Sequence, residues 1–533
     1  MGALARVPLR TAGWLLPVAV ALGATLAALQ PAPWMHGFLG FSSMTFLGLL
    51  GLSAATRSAG GGRTLLLLVG LALVLRLGTG IALHLGLPSW GYDEPDDQAG
   101  FVYTDAHRRD AQAWDLAASD HSLLEAFRRK YYADQYGGLL ALSALIFRLF
   151  SADVHRPMML ILVTALSASA ALPFAWRAVG ELWGARASVI CCTIFALYPE
   201  TVLLGSSAMR EPYLITLSAM MFWGFVALQR SNGPGVHRSR TPILWLAGAG
   251  IAMMLISPAA LLANGAVLLV WRYLAGPRPH WRWGLAVSLA LAISIVFLSW
   301  SLDRRNAMPA GTPIGVVATF LRQAVERDVY QLERGSGWVQ KLFDEMPETS
   351  RLPFVTAYGI LQPVLPAALV EPTTPVWQVI AIARAAGWYA FLPLLVLGLA
   401  FASRWKGAAQ PRAIISMTWI SWGWIILAAL RGGADQWDNP RYRAILFIWQ
   451  AVVATHVWLW WRESRSPWLV RAFAMELALV LVFGQWYLSR YLHVGPQWPF
   501  TSMVAGVMVL WITVVFSGWL WDRLRLTGPR RGL

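Results

Sequence analysis

Six carboxylates, Asp93, Glu94, Asp96, Asp97, Asp105 and Asp110, fall between Tyr92 and Asp110 of a chain that is 57% hydrophobic and only 13% charged. The stretch reads YDEPDD at Tyr92–Asp97 and FVYTDAHRRDAQAW at Phe101–Trp114, so the last two acids have His107, Arg108 and Arg109 beside them. A carboxylate among cations can stay ionised, orient a hydroxyl and take its proton. Two further groups have the types to share such work. SSAMREP at Ser206–Pro212 offers Arg210 and Glu211, and RGGADQWDNPRYR at Arg431–Arg443 offers Arg441 and Arg443. Arginine grips a pair of phosphate oxygens better than lysine does. Carboxylate plus guanidinium is therefore a set that can activate a hydroxyl and hold an anion as it leaves.

Most external charges are simply solvated, and Asp115, Asp120, Glu125 and Arg128–Lys130 are read so. Glu211 stands at a helix start, where a capping role competes with a chemical one. Arg76 and Glu476 fall inside apolar runs, where a charge is costly. Arg76 is expected to line a cavity, and Glu476 fits a relay or a structural role equally.

The elements that must position these groups are membrane helices. Charged residues make up about 25% of an ordinary soluble domain, and a chain this apolar needs lipid as solvent. Runs such as LLLLVGLALVL at Leu65–Leu75 are long apolar segments, suited to helices crossing a core about 30 Å thick. The fold class expected is an all-α polytopic membrane protein of about 14 spans, near 14–30, 37–55, 64–86, 157–176, 187–205, 212–229, 242–256, 258–273, 283–301, 384–402, 412–430, 442–461, 470–488 and 502–521. Four parts follow: an N-terminal hairpin over 1–62, a core over 63–301 with an external loop at 88–156, an extracytoplasmic segment over 302–383, and a C-terminal bundle over 384–533. Gly137–Phe150, GGLLALSALIFRLF, is too short to cross and reads as an interfacial or re-entrant helix. Near-helical apolar spacing from Val317 to Leu332 reads as an amphipathic helix. The Pro-rich stretch Leu361–Pro375 cannot be one regular helix.

With the N-terminus cytoplasmic, 22 of the 43 basic residues fall in cytoplasmic tails and loops beside three acids, Glu181, Glu463 and Asp522. Short loops then obey the positive-inside rule, both termini are cytoplasmic, and the net charge of +16 needs no nucleic acid. The expected location is the cell membrane, with membrane lipids as partners. Cys191 and Cys192 are adjacent inside one apolar run. They read as small core hydrophobes, and no Cys/His spacing resembles a zinc site.

The order of these pieces resembles the GT-C superfamily of integral membrane glycosyltransferases, most closely its branch near the protein O-mannosyltransferases and the lipid A aminoarabinose transferases. The likeness rests on YTDAHRRDAQAWDLA (Tyr103–Ala117), DQYGGLLALSALIFRLFS (Asp134–Ser151), Trp176–Ile215 ending in SSAMREPYLI, and NPRYRAILF (Asn439–Phe447). It covers most of 64–450 and leaves out the 14–55 hairpin. It implies a sugar donor on a polyprenyl phosphate and transfer, with inversion, to an extracytoplasmic glycan, lipid or protein acceptor. It also implies an acid after the first span, a second acid at Glu211, and donor phosphate near Arg441 and Arg443, with Arg210 behind them. The family acid is often followed by tyrosine and alanine, whereas here DAHRRDAQAW supplies Arg109 and Asp110. Asp105 and Asp110 therefore compete for the role of base, with Asp93 and Glu94 next; Asp105 is preferred. No cofactor is implied with certainty; the clustered acids permit a divalent metal. The rival class is a transporter or lipid flippase using Arg76 and Glu476, against which no paired broken-helix repeat is visible in the sequence.

The charge distribution makes a direct prediction. Single cysteines placed at 56–63, 230–241 or 403–412, in a background with Cys191 and Cys192 replaced, should resist an impermeant thiol reagent on intact cells. Those placed at 88–156 or 302–383 should react. Labelling of 230–241 from outside would reverse the orientation.

Overall fold

The computed structural model describes residues 9–231 apart from 129, 132 and 135, then 241–276, 346–402 and 410–527 apart from 434, with isolated positions between 281 and 322. Among the described residues every regular element is helical. Helices α1 (Leu9–Ala28) and α2 (Trp34–Ala59) form a hairpin. Gly60 and Gly62, at φ 72° and 57°, turn the chain into α3 (Gly62–Trp90) within three residues, using a left-handed backbone that side chains disfavour. Then come α4 (Pro95–Gln98), α5 (Thr104–Ala118) and α6 (Gly138–Phe150) before the long, mostly buried α7 (Met158–Trp183).

Hydrogen bonds fix how these helices run. At the start of α2 and α7 the Arg156 guanidinium donates to the Pro33 carbonyl at 2.9 Å, and near their ends Arg177 donates to the Ser58 carbonyl at 3.1 Å. The two helices are therefore parallel. Helix α3 leaves α2 through the tight glycine turn and returns, so its end and the start of α7 share one membrane face. The segment between them begins and ends on that face, and α6 does not cross. Its 13 residues reach only about 20 Å at 1.5 Å per residue.

Two spans are broken. Helices α8 (Ala185–Leu197) and α9 (Pro199–Gly205) bend by 61° at Tyr198, where Pro199 has no N–H to continue the ladder. The break frees carbonyls in a region without water. Arg76, wholly buried, takes them up: it donates to Phe195 O at 3.2 Å, Ala196 O at 3.4 Å and Thr201 Oγ1 at 3.2 Å. Helix α3 can come this near because it carries glycine at the contact. A Cβ on Gly80 would lie 2.7 Å from the Ser206 carbonyl, and one on Gly205 would meet the Arg76 side chain at 2.7 Å.

Helices α10 (Glu211–Ser231), α11 (Thr241–Ile256) and α12 (Pro258–Ala275) follow. Beyond them lie α13 (Glu348–Leu361), α14 (Leu365–Val370), α15 (Pro375–Phe401) and α16 (Pro411–Gly432). The second broken span is α17 (Asp438–Ala444) and α18 (Phe447–Ser464), bent by 75°. Helices α19 (Trp468–Tyr487) and α20 (Phe500–Thr527) close the chain.

The protein is thus an all-α, multi-pass membrane protein. Among the described residues nine helices are long and apolar enough to cross a membrane, or eleven if each bent pair is one span. The sequence reading expected about fourteen. Two of the difference, near 14–30 and 242–256, fall on shorter apolar helices. The span expected at 283–301 and the amphipathic helix expected near 317–332 lie outside the described residues, apart from isolated positions. The span expected from 384 begins instead at Pro375, because Arg384 is accommodated within it. Prolines divide Leu361–Pro375 into the end of α13, the short α14 and the start of α15.

Arg384 is accommodated by Glu200 of α9. The two side chains, each 2% exposed, make a bidentate pair at 2.7 and 3.2 Å, and Arg384 also lies 4.1 Å above the Trp437 ring. Removing one partner of a buried pair typically costs about 3–5 kcal/mol, whereas replacing both by apolar groups is often neutral. Arg384→Met should therefore lower the thermal unfolding midpoint in detergent strongly, and Glu200→Leu/Arg384→Met should recover most of the loss. Equal midpoints for wild type and Arg384→Met would refute the role of the pair.

Candidate active site

The short helix α17 carries the centre of the site. Asp435 accepts from the backbone N–H of Trp437 at 2.6 Å and of Asp438 at 2.7 Å, which starts the helix. Asn439 then ties it down, donating to Gly359 O at 2.7 Å and Gly433 O at 3.0 Å. With the helix so fixed, Arg441 meets three carboxylates. Its Nη2 lies 3.1 Å from Glu211 and 3.3 Å from Asp105, and its Nη1 lies 3.0 Å from Asp438. Tyr103 adds a ring whose centroid is 5.5 Å from the guanidinium carbon.

The carboxylates differ in access. Glu211 opens α10, at the positive end of that helix's dipole, and its side chain is 1% exposed. Arg210 and Arg109 are further charged neighbours of Glu211. Asp105, in the first turn of α5, is 55% exposed. Asp438 is 41% exposed, so Asp105 is the more open of the two carboxylates of the group that a substrate can reach. One turn further along α5, Arg109 is buried and donates to Ala208 O at 3.1 Å, which ties α5 to the turn before Glu211. Burial pulls its guanidinium below the usual value, with Asp134 acting in the opposite direction. Burial likewise pushes the Tyr103 hydroxyl well up.

The remaining candidates lie elsewhere. Asp110 is on the other side of α5, 1% exposed and 2.7 Å from His155 Nε2, with Trp114 stacked on that imidazole at 5.2 Å. It anchors α5 to the chain entering α7. Arg443 also turns away from Arg441. It is buried, 3.3 Å from the centroid of the Trp388 ring, and donates to Gln362 O at 3.0 Å. Asp93 and Glu94 are exposed in the turn before α4. Arg210 is half-buried, its Nε lacking a hydrogen-bond partner.

Their neighbours Asp96 and Asp97 shape the entry to α5. Asp96 accepts from Thr104 and pairs with His107 at 2.7 Å. Burial pushes its carboxyl up, but the Thr104 and His107 hydrogen bonds outweigh this and hold it below its ordinary value. Asp97 accepts from Tyr92 N at 2.6 Å and Trp377 Nε1 at 2.7 Å. Sequence reading singled out neither Asp438 nor Tyr103. Asp438 stands three residues before Arg441 on one helix, a spacing that does bring side chains together. Tyr103 carried no comparable signal. Among the described residues no three His, Cys, Asp or Glu side chains gather as a metal-ion ligand set.

The fold and site define a multi-pass helical membrane protein with an arginine–carboxylate cluster at one membrane face. No protein-family model matches the chain, and no curated protein matches it. Solved structures similar to it include the oligosaccharyltransferase AglB of Archaeoglobus fulgidus, in complex with an inhibitory peptide and a dolichol-phosphate. The identity is 13% and the TM-score 0.37, over 89% of this chain and 57% of that one. The same organism's oligosaccharyltransferase tethered to an acceptor peptide is 14% identical, with a TM-score of 0.40, over 86% of this chain and 54% of that one. This chain thus spans little more than half of those chains. Scores below 0.5 are too low for the likeness to define an activity or a substrate.

The cluster predicts unequal stabilities. Glu211→Ala leaves the Arg441 guanidinium under-compensated in a buried setting and should cost about 3–5 kcal/mol. Asp105→Ala removes an exposed partner and should cost no more than about 1 kcal/mol. Thermal unfolding of both variants in one detergent checks the ratio, and equal losses would contradict it.

Proposed function

We propose that this chain is a GT-C-type glycosyltransferase that moves a sugar from a polyprenyl phosphate to an acceptor hydroxyl on the extracytoplasmic face of the cell membrane. The observation that carries this reading is Arg441, held between accessible Asp105 and buried Glu211 where α5, α10 and α17 meet. The face that bears the 91–157 segment is the extracytoplasmic one, because the basic loops lie at the opposite ends of the helices.

In this reading the donor's isoprenoid stays in lipid and its phosphate approaches Arg441, with Arg210 and Arg109 adding positive charge. Asp105 orients the acceptor hydroxyl and takes its proton as oxygen bonds to the anomeric carbon. The bond from that carbon to the phosphate oxygen breaks, and polyprenyl phosphate leaves with the electron pair, stabilised by the guanidiniums. One displacement inverts the anomeric centre. Glu211 keeps Arg441 aimed and neutralises part of the cationic cluster before the phosphate arrives.

The two broken spans favour a second reading, since discontinuous helices also build transporter sites. Against it, the carbonyls freed in α8 are taken up by Arg76, and Glu200 of α9 is bound to Arg384. Neither group is left to carry a passenger.

The test is transfer from a polyprenyl-phosphate-sugar donor by purified protein. Asp105→Asn should reduce turnover about 10²–10⁴-fold while donor binding persists. Asp110→Asn, which alters only the His155 anchor, should be mild, and Glu211→Gln should also impair transfer. Arg441→Ala should weaken donor binding by about 1.5–3 kcal/mol, the range for a hydrogen bond to a charged group. Full transfer in both Asp105→Asn and Glu211→Gln would end the proposal.

A further inference from the structure

The hairpin and α3 enclose a groove that the transfer site does not use. Its volume is about 760 Å³. Leu49 and Leu52 of α2 and Leu66 and Leu73 of α3 form apolar walls, while Arg57 and Arg63 line one end; among the described residues no acid lines it. Leu66 and Trp14 along it are strongly exposed, so it opens sideways into the surrounding lipid. From Arg57 back to Leu49, and from Arg63 on to Leu73, the helices rise about 12–15 Å. That is half of a hydrocarbon core about 30 Å thick, the depth of one leaflet. The charged end also carries the start of α3, whose N-terminal turn has neither a side-chain cap nor an acid. The first N–H groups of a helix have no intrahelical acceptor, and here they lie beside the two guanidiniums.

We propose that this groove binds one anionic glycerophospholipid, with its phosphate on Arg57 and Arg63 and an acyl chain along the leucine wall. The charge selects an anion, and the apolar length selects a lipid over free phosphate. A zwitterionic headgroup would bring a cation against two guanidiniums, and the described groove lining holds no acid to receive it. The site lies at the ends of α2 and α3 away from Asp105 and Arg441, so it stands or falls apart from the proposed transfer activity.

The test uses full-length protein in a neutral detergent, with native mass spectrometry after adding phosphatidylglycerol or phosphatidylcholine. Wild type should retain phosphatidylglycerol preferentially. Arg57→Gln/Arg63→Gln should lower that retention by about tenfold or more, the least expected for loss of a charged hydrogen bond. Gly70→Phe changes no charge and fills the groove, since a Cβ on Gly70 meets nothing within 4 Å; it should lower retention as well. Equal retention of the two lipids by wild type would overturn the proposal, whether or not the variants fold. So would unchanged retention in both variants, or displacement of the lipid by millimolar inorganic phosphate.

Discussion

The Arg441 guanidinium has to satisfy carboxylates from three parts of the chain, and much of the surrounding geometry exists to let it. Glu211 could not be buried as an anion without a cation against it. Arg441 could not sit nine-tenths covered without several acceptors. Each therefore requires the other, and both require α17 to begin where Asp435 starts it and to stay where Asn439 ties it. Helix α5 is drawn to the same point twice, through Asp105 on Arg441 and through Arg109 on the Ala208 carbonyl. A segment between two spans is thereby held to the membrane-embedded helices by charge rather than by apolar packing alone.

The same logic explains the charges deeper in the bundle. A break in a spanning helix leaves carbonyls that water would satisfy at the surface and that lipid cannot. Arg76 stands in for that water at the α8–α9 break, and Glu200 with Arg384 joins α9 to α15 beside it. These side chains allow a span to bend by 61° and place Glu200, Ser206 and the turn leading to Glu211 in a fixed relation. Intramembrane arginine here is a structural acceptor-filler, which narrows the residues available for a transport path.

Much of the helical plan was legible because lipid imposes long apolar runs. The site was legible only in part. Asp105 and Asp110 are five residues apart, which on a helix is about 140° of rotation, so only one can face Arg441. Arg441 and Arg443, two residues apart, are nearly opposite for the same reason. Residue types and spacing put all four forward; the phase of each helix against its neighbours, a tertiary property, separates them. The Glu200–Arg384 pair joins residues 184 positions apart and has no local signature. The start of α15 was misplaced for a related reason: a buried, compensated arginine looks from sequence like a boundary.

Helix α6 carries a consequence for how the chain is made. Biosynthesis inserts spans in sequence, and whether each later helix points in or out depends on whether an odd or even number has crossed before it. Helix α6 is apolar, but about 10 Å too short to cross a core about 30 Å thick. That shortfall keeps the count even between α3 and α7. A few added leucines would make it a plausible extra crossing, set against the arginine-rich loops of every helix that follows. Selection on this stretch therefore falls on its length as much as on its contacts: it must be apolar enough to lie at the interface beneath α5, yet brief enough for the insertion machinery to pass it by.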